Sequence, residues 1–274
     1  MVFGGKKRID ESDLEQAPDH GVYRGDSSFR ELERDVSKYW KENNIRIALL
    51  GIENQTVPED DMPIRVIGYD GLAYRDQIRY ETDENGTRRK VVDIYPVITL
   101  VLYFGYERHW DKARTLHETL GDKLRPEFTG LVNDYEINLY EIAYLTDEQL
   151  EGFHSDFRYV ADYFVQMQRT GTYTGSREAM THVREVLQLM TVLTGDGRFA
   201  SVTEQEATRE TKKGEINSMC DVLDAIEKKG YDLRAREDAI SMYQDGIDTR
   251  RIAKIMDIDI ETILDWLREA GEIS

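Results

Sequence analysis

One cysteine in 274 residues leaves nothing for an internal disulfide, which points to a reducing compartment, the cytoplasm. No apolar run approaches the length of a membrane-spanning helix. The first residues, with Gly4-Gly-Lys-Lys-Arg8, lack the apolar core of a secretory leader. The five histidines, at 20, 109, 117, 154 and 182, show no metal-ligand spacing. His109, beside Trp110, reads as a surface or core residue. Neither a phosphate-cradling P-loop nor a dinucleotide glycine fingerprint occurs. These absences set aside disulfide scaffolds, membrane-embedded proteins, nucleotide-motif enzymes and paired-histidine metal sites.

Positive charge is scarce as well. The chain has 36 Lys and Arg against 54 Asp and Glu, a net charge of −18. Such a surface repels phosphates and counts against nucleic acid as a partner. The acid is unevenly spread, however. Between Arg65 and Arg114 nine basic residues meet eight acidic ones, so this stretch is close to neutral. Within it, Arg88-Arg-Lys90 follows Asn85-Gly86 and is expected at a hairpin or loop tip, either touching a phosphate backbone or facing solvent.

Hydrophobic residues make up 40% of the chain and tyrosines number 16, a composition that folds rather than stays disordered. The most informative segment is Ile45-Arg-Ile-Ala-Leu-Leu-Gly-Ile-Glu-Asn-Gln-Thr56. An aliphatic, strand-like run ends in a carboxylate and an amide two residues apart. Side chains at i and i+2 of a strand share a face, so Glu53 and Gln55 project together from the end of a buried strand. An acid there needs a metal, a hydrogen-bond network or a solvent-filled cleft. Asn43-Asn44 suits a tight hairpin, which would fold Arg34-Asp-Val-Ser-Lys-Tyr-Trp-Lys41 back and carry Asp35 towards Glu53. Two carboxylates and an amide would suit Mg²⁺ or Mn²⁺, ions that activate water for phosphodiester hydrolysis. A competing reading exists. Leu32, Val36, Tyr39 and Trp40 also keep helical spacing, and a helix there would make Asp35 a solvated surface acid.

Gly51-Ile-Glu-Asn-Gln-Thr56, followed by Met62-Pro-Ile-Arg-Val-Ile-Gly-Tyr-Asp-Gly71, resembles the recombination-promoting nuclease (Rpn)/transposase family. Tyr95-Pro-Val-Ile-Thr-Leu-Val-Leu-Tyr-Phe-Gly105, Asp156-Phe-Arg-Tyr-Val-Ala-Asp-Tyr-Phe164 and Leu189-Met-Thr-Val-Leu-Thr-Gly-Asp196 extend the likeness, which runs from about residue 2 to residue 230. The resemblance implies an α/β fold of PD-(D/E)xK type, a small mixed sheet flanked by helices. It implies an Asp on one strand and Glu-x-Lys or Glu-x-Gln on the next. Asp35, Glu53 and Gln55 match those three positions, with Asp35 and Glu53 as metal ligands. Two departures stand out. Gln55 replaces the commoner lysine, and an amide can orient water but carries no charge. The relatives also have a further N-terminal helix, which a chain starting at Met1-Val-Phe-Gly is expected to lack.

The remaining pattern is scaffold. Ile64, Ile67, Gly71, Tyr74 and Ile78 mark a helix, Val97 to Phe104 a central strand covered on both faces, and Glu136 to Leu145 another strand. Thr146-Asp-Glu-Gln caps a helix, and Phe153, Phe157, Val160, Ala161 and Phe164 continue at helical spacing. The nuclease-like core is expected over 1–167. Gln168 to Arg177 reads as a polar linker, and a helical extension over 168–230 follows. Met180, Val183, Val186, Leu187, Met190 and Leu193 stripe one helix of it, Glu204 to Glu215 is charge-rich, and a short helix stops at Gly230. Residues 231–274 have a helix-turn-helix rhythm, with Ile252 and Ala253 facing Ile258, Ile263 and Trp266, and Asp257 in the turn. Asp259, Glu261 and Asp265 on the second helix disfavour DNA binding there.

Two functions from different classes are expected. One is a Mg²⁺- or Mn²⁺-dependent DNA endonuclease promoting recombination, soluble and cytoplasmic, with a homo-oligomer as one option. The other is a catalytically inactive nuclease-fold protein, kept for interaction or left as a truncated mobile-element remnant.

Overall fold

A computed structural model describes residues 9–17, 20–24, 29–33, 35–42, 45–92, 94–208 and 216–273. The chain divides into two units, residues 1–173 and 174–274.

In the first unit the aliphatic run from Ile45 does form a strand. β1 (Leu14–Gln16), β2 (His20–Arg24), β3 (Phe29–Glu33), β4 (Val36–Glu42) and β5 (Ile45–Gln55) come first. α1 (Met62–Asp76), β6 (Ile78–Thr82), β7 (Arg88–Val92) and β8 (Val97–Tyr103) follow. α2 (Leu116–Leu120), β9 (Asn138–Glu141), α3 (Asp147–Glu151) and α4 (Phe157–Thr170) complete the unit. Five strands make one mixed sheet in the order β1-β4-β5-β8-β9. β1, β4 and β5 are antiparallel, whereas β5, β8 and β9 run parallel. An antiparallel pair needs only a short turn, but the parallel step from β5 to β8 needs a crossover, which contains α1. The protein is therefore α/β, with a mixed sheet flanked by helices.

The helical reading of Val36, Tyr39 and Trp40 fails, because these residues pair in β4 opposite Ile52, Leu49 and Ala48. Their β-branched and aromatic side chains suit a pleated surface. Tyr39 meets Tyr95 edge-on at 6.0 Å, and the Arg46 guanidinium lies 3.8 Å from the Tyr39 ring centre. The Asn43-Asn44 turn lies outside the described residues, as do Gly4–Arg8 and the charge-rich 209–215.

Along β5 burial alternates, with Leu49, Gly51 and Glu53 inside and Leu50 and Ile52 half-buried. In β8 the matching residues Thr99, Val101 and Tyr103 are buried, but Leu100 and Leu102 are only half-buried. The expectation that β8 is closed on both faces is thus corrected. A continuous apolar run places the strand centrally without requiring a second full layer over it.

α1 also departs from its sequence pattern. Ile64 and Tyr74 point outward, 52% and 39% exposed, while Met62, Val66, Tyr69 and Asp70 face inward. These four fall at i, i+4, i+7 and i+8, a good helical face, but one containing an acid and a phenol. Met62 and Val66 pack with Val101, Tyr103, Trp110 and Ile137. The basic triplet lies on a hairpin, as its neighbours Asn85-Gly86 suggest, but just after the tip rather than on it. Arg88 to Lys90 lies within β7, and the tip is Asp83 to Thr87, where the Asp83 carboxylate accepts from the amides of Asn85 and Thr87. The strand expected from Glu136 shortens to Asn138–Glu141, since a 3₁₀ turn takes Ile142 to Tyr144.

The second unit is helical: α5 (Val183–Thr194), α6 (Gly197–Thr208), α7 (Met219–Gln244), α8 (Thr249–Met256) and α9 (Ile260–Glu269). α5 buries Val186, Leu187, Met190 and Leu193. Gly230 does not stop the helix, because α7 runs through it for 26 residues. A glycine inside a helix costs only about 1 kcal/mol relative to alanine, which packing at both ends can override. Ala239, Ile252, Ile263 and Leu267 form the last cluster, joined by Ala253, Ile258 and Trp266. Asp257 holds a left-handed φ of 56° in the α8–α9 turn. Asp259 caps α9 by accepting from the Glu261 amide, so part of that helix's acidity is a capping device.

Candidate active site at the end of β5

The pairing of β4 with β5 begins at Val36 opposite Ile52, and Asp35 stands just before the first paired residue, at the end of the hairpin where β5 carries Glu53 and Gln55. Asp35 lies in a bend just before β4, and its Oδ2 accepts a 2.7 Å hydrogen bond from the backbone N–H of Asn54. That bond ties the mouth of the hairpin. Asp35 is exposed, whereas Gln55 is half-buried. Glu53 is buried, its side chain only 1% exposed.

Parallel pairing puts Glu53 alongside Val101 and Gln55 alongside Tyr103, with Tyr103 next to Glu141 of β9. Gln55, Tyr103 and Glu141 thus mark one edge, the C-terminal ends of three parallel strands. Open α/β sheets commonly bind ligands at that edge. The loop after β8 returns across it and carries Arg108, His109, Lys112 and Arg114. Lys112 reaches Asp60 in the loop after β5 at 3.0 Å, and Arg114 reaches Glu141 at 3.4 Å. Glu141 also accepts from the Trp110 amide at 2.7 Å.

The cation against Glu53 is Arg65, one turn into α1. Its Nη2 lies 3.2 Å from Glu53 Oε2 and its Nη1 lies 2.8 Å from Glu59 Oε2. Nε and Nη2 both approach the Tyr69 hydroxyl at 3.4 Å. Burial tends to lower the Arg65 pKa, but the Tyr69 hydrogen bond and the charges of Glu53 and Glu59 more than offset it and raise it. Burial also raises the Tyr69 phenol, with Glu53 adding to the shift and Arg65 opposing it. Both groups are therefore held protonated around a buried carboxylate.

One turn further along α1, the buried Asp70 carboxylate faces β8. Thr99 Oγ1 donates to its Oδ1 at 2.5 Å, and the Tyr135 hydroxyl donates to its Oδ2. Asn138 Nδ2 donates to the Thr99 carbonyl at 2.9 Å and extends the network to β9. This polar seam fixes α1, and with it Arg65, over the sheet.

Sequence reasoning singled out Asp35, Glu53 and Gln55, and the structure brings them to one end of one hairpin. It missed Arg65, Tyr69 and Asp70. A signal was present: Arg65 and Tyr69 are one helical turn apart, and Met62, Val66, Tyr69 and Asp70 form a continuous face containing polar groups.

Among the described residues, no three His, Cys, Asp or Glu side chains are grouped so as to hold a metal ion. The hairpin end carries oxygen donors of the kind a hard divalent cation takes, the carboxylates of Asp35 and Glu53 and the amide of Gln55, and Glu53 already holds the Arg65 guanidinium. No helix among the described residues is long and apolar enough to cross a membrane. The chain matches no protein-family model, no curated protein and no solved structure.

Proposed function

We propose that the chain is a Mg²⁺- or Mn²⁺-dependent DNA endonuclease of PD-(D/E)xK type, akin to the Rpn/transposase family, that promotes recombination. The observation carrying this reading is the β4–β5 hairpin. At its open end Asp35 precedes β4 and the buried Glu53 stands near the end of β5, close to the resemblance's pattern of an Asp on one strand and Glu-x-Gln on the next. Asp35 and Glu53 would hold the cation. When bound, the cation would neutralise charge on the phosphodiester and make water more acidic. A carboxylate in the buried position of Glu53 holds a cation more strongly than one in solvent. Gln55 places water through its amide and takes no proton. Arg108, Lys112 and Arg114 lie on the loop after β8, where each pairs with an acid, Asp111, Asp60 and Glu141.

A second reading, a catalytically silent nuclease-fold protein used for interaction, draws on one observation: Arg65 already neutralises Glu53. Plasmid cleavage by the full chain, titrated with Mg²⁺ and Mn²⁺, separates the two. The nuclease reading expects metal-dependent nicking by the wild type and none by Glu53→Gln with unchanged circular dichroism. A wild type inert throughout the titration would leave the silent reading in its place.

A further inference from the structure

Glu53 is an acid inside a sheet, and the structure supplies its counter-charge from the chain itself. Arg65 is suited to that place and also to leaving it. Its side chain is 30% exposed, so part of it reaches solvent, whereas Glu53 is closed off at 1%. Glu59 at 2.8 Å and the Tyr69 hydroxyl at 3.4 Å hold the guanidinium independently of Glu53. Loss of the Glu53 contact would leave it tethered at the same edge of the sheet.

A divalent cation on Glu53 and a guanidinium on the same carboxylate repel each other and draw on the same oxygen atoms. We propose that Arg65 is a resident counter-cation that the divalent metal displaces, and that the displaced guanidinium then binds the phosphate of the nucleic-acid substrate. This inference rests on the nuclease reading and adds to it the residue that supplies the positive charge Gln55 lacks. Arginine is suited to the role because it stays protonated and presents a planar fork of N–H donors that matches a phosphate. It cannot take a proton from water, so its contribution is charge and orientation. The arrangement has a second consequence. Without metal, Arg65 keeps the buried acid neutralised and the helix seated, so the empty protein does not carry an uncompensated charge.

The test is Mn²⁺ binding to the full chain without DNA, followed by electron paramagnetic resonance of free Mn²⁺, alongside DNA cleavage at saturating Mn²⁺. Removing a competitor should strengthen metal binding while removing a phosphate ligand slows cleavage, so the two readouts should move in opposite directions. Arg65→Gln is expected to bind Mn²⁺ roughly tenfold more tightly, the loss of about one charge-assisted hydrogen bond. Its cleavage rate should fall on the order of a hundredfold. Added guanidinium ion should restore part of the rate in Arg65→Ala. Mn²⁺ should raise the melting temperature of Arg65→Gln more than that of the wild type, since the metal then provides the missing counter-charge. If Arg65→Gln does not fold, Arg65→Lys takes its place, with the same opposed changes at smaller size. Weaker or unchanged Mn²⁺ binding in a folded variant, with a metal-binding and cleaving wild type, would overturn the role of Arg65 alone. A wild type that neither binds Mn²⁺ nor cleaves DNA would remove the nuclease reading and this inference with it.

Discussion

Replacing Asp70 with alanine should loosen α1 more than any surface change on that helix. Asp70 is 4% exposed and its carboxylate accepts hydrogen bonds from the buried Thr99 and the half-buried Tyr135, so the substitution removes the acceptor of both hydroxyls and opens a small void. Hydrogen bonds to a charged group contribute about 1.5 to 3 kcal/mol each. Taking the lower figure for both gives a loss of about 3 kcal/mol, partly relieved because a buried charge disappears. A domain has only about 5 to 15 kcal/mol in all. The assay is urea unfolding followed by tryptophan emission in a Trp266→Phe background, which leaves Trp40 and Trp110 to report on the first unit. Thr99→Val should cost less in the Asp70→Ala background than in the wild type, by roughly 0.5 to 3 kcal/mol of coupling. An Asp70→Ala midpoint within about 0.5 kcal/mol of wild type, or additive double-mutant energies, would refute the claim that this seam holds α1 on the sheet.

Ser218 caps α7 with a reciprocal bond to Asp221, and Ser218→Ala should cost the second unit about 1 kcal/mol by thermal unfolding. The Ser218 hydroxyl, followed by the Asn217 amide, lowers the Asp221 pKa, so this stabilisation is present above the ordinary carboxylate range and lost as pH falls through the depressed value. Acid titration by NMR should show the Asp221 midpoint moving up in Ser218→Ala. Ile252→Ala, at a site with no exposure, should destabilise the α7–α9 cluster by about 2 to 5 kcal/mol, measured by hydrogen exchange of α8 and α9. Arg88 and Lys90 share one exposed face of the β6–β7 ribbon with Tyr80, over which Arg88 lies at 4.3 Å. If that face touches DNA, the double change to glutamate should weaken binding and reduce its salt dependence by about two phosphate contacts in fluorescence anisotropy. Identical salt slopes would place the DNA elsewhere.

Local pattern carried the sequence reading a long way at β5. Aliphatic residues with a period of two dictate a strand, and the i, i+2 rule then puts Glu53 and Gln55 on one face whatever surrounds them. The α8–α9 pair was legible for the same kind of reason, since Ile252, Ile258 and Ile263 keep their spacing around a short turn. The hairpin beside Asn85-Gly86 was legible too, with the basic triplet in its strand rather than at its tip. Gly230 was misread as a stop because a glycine's cost of about 1 kcal/mol is outweighed by helix packing.

The sequence by itself determined which segments have a face to bury and where an acid would stand at the end of a buried strand. Only the tertiary structure decided what meets that acid. The inward face of α1 is Met62, Val66, Tyr69 and Asp70 rather than the more apolar Ile64 side, because Thr99 and Tyr135 are there to satisfy Asp70 and Glu53 is there to pair with Arg65. A helix chooses its buried face by total complementarity with the sheet, polar partners included, and no periodicity within the helix encodes those partners.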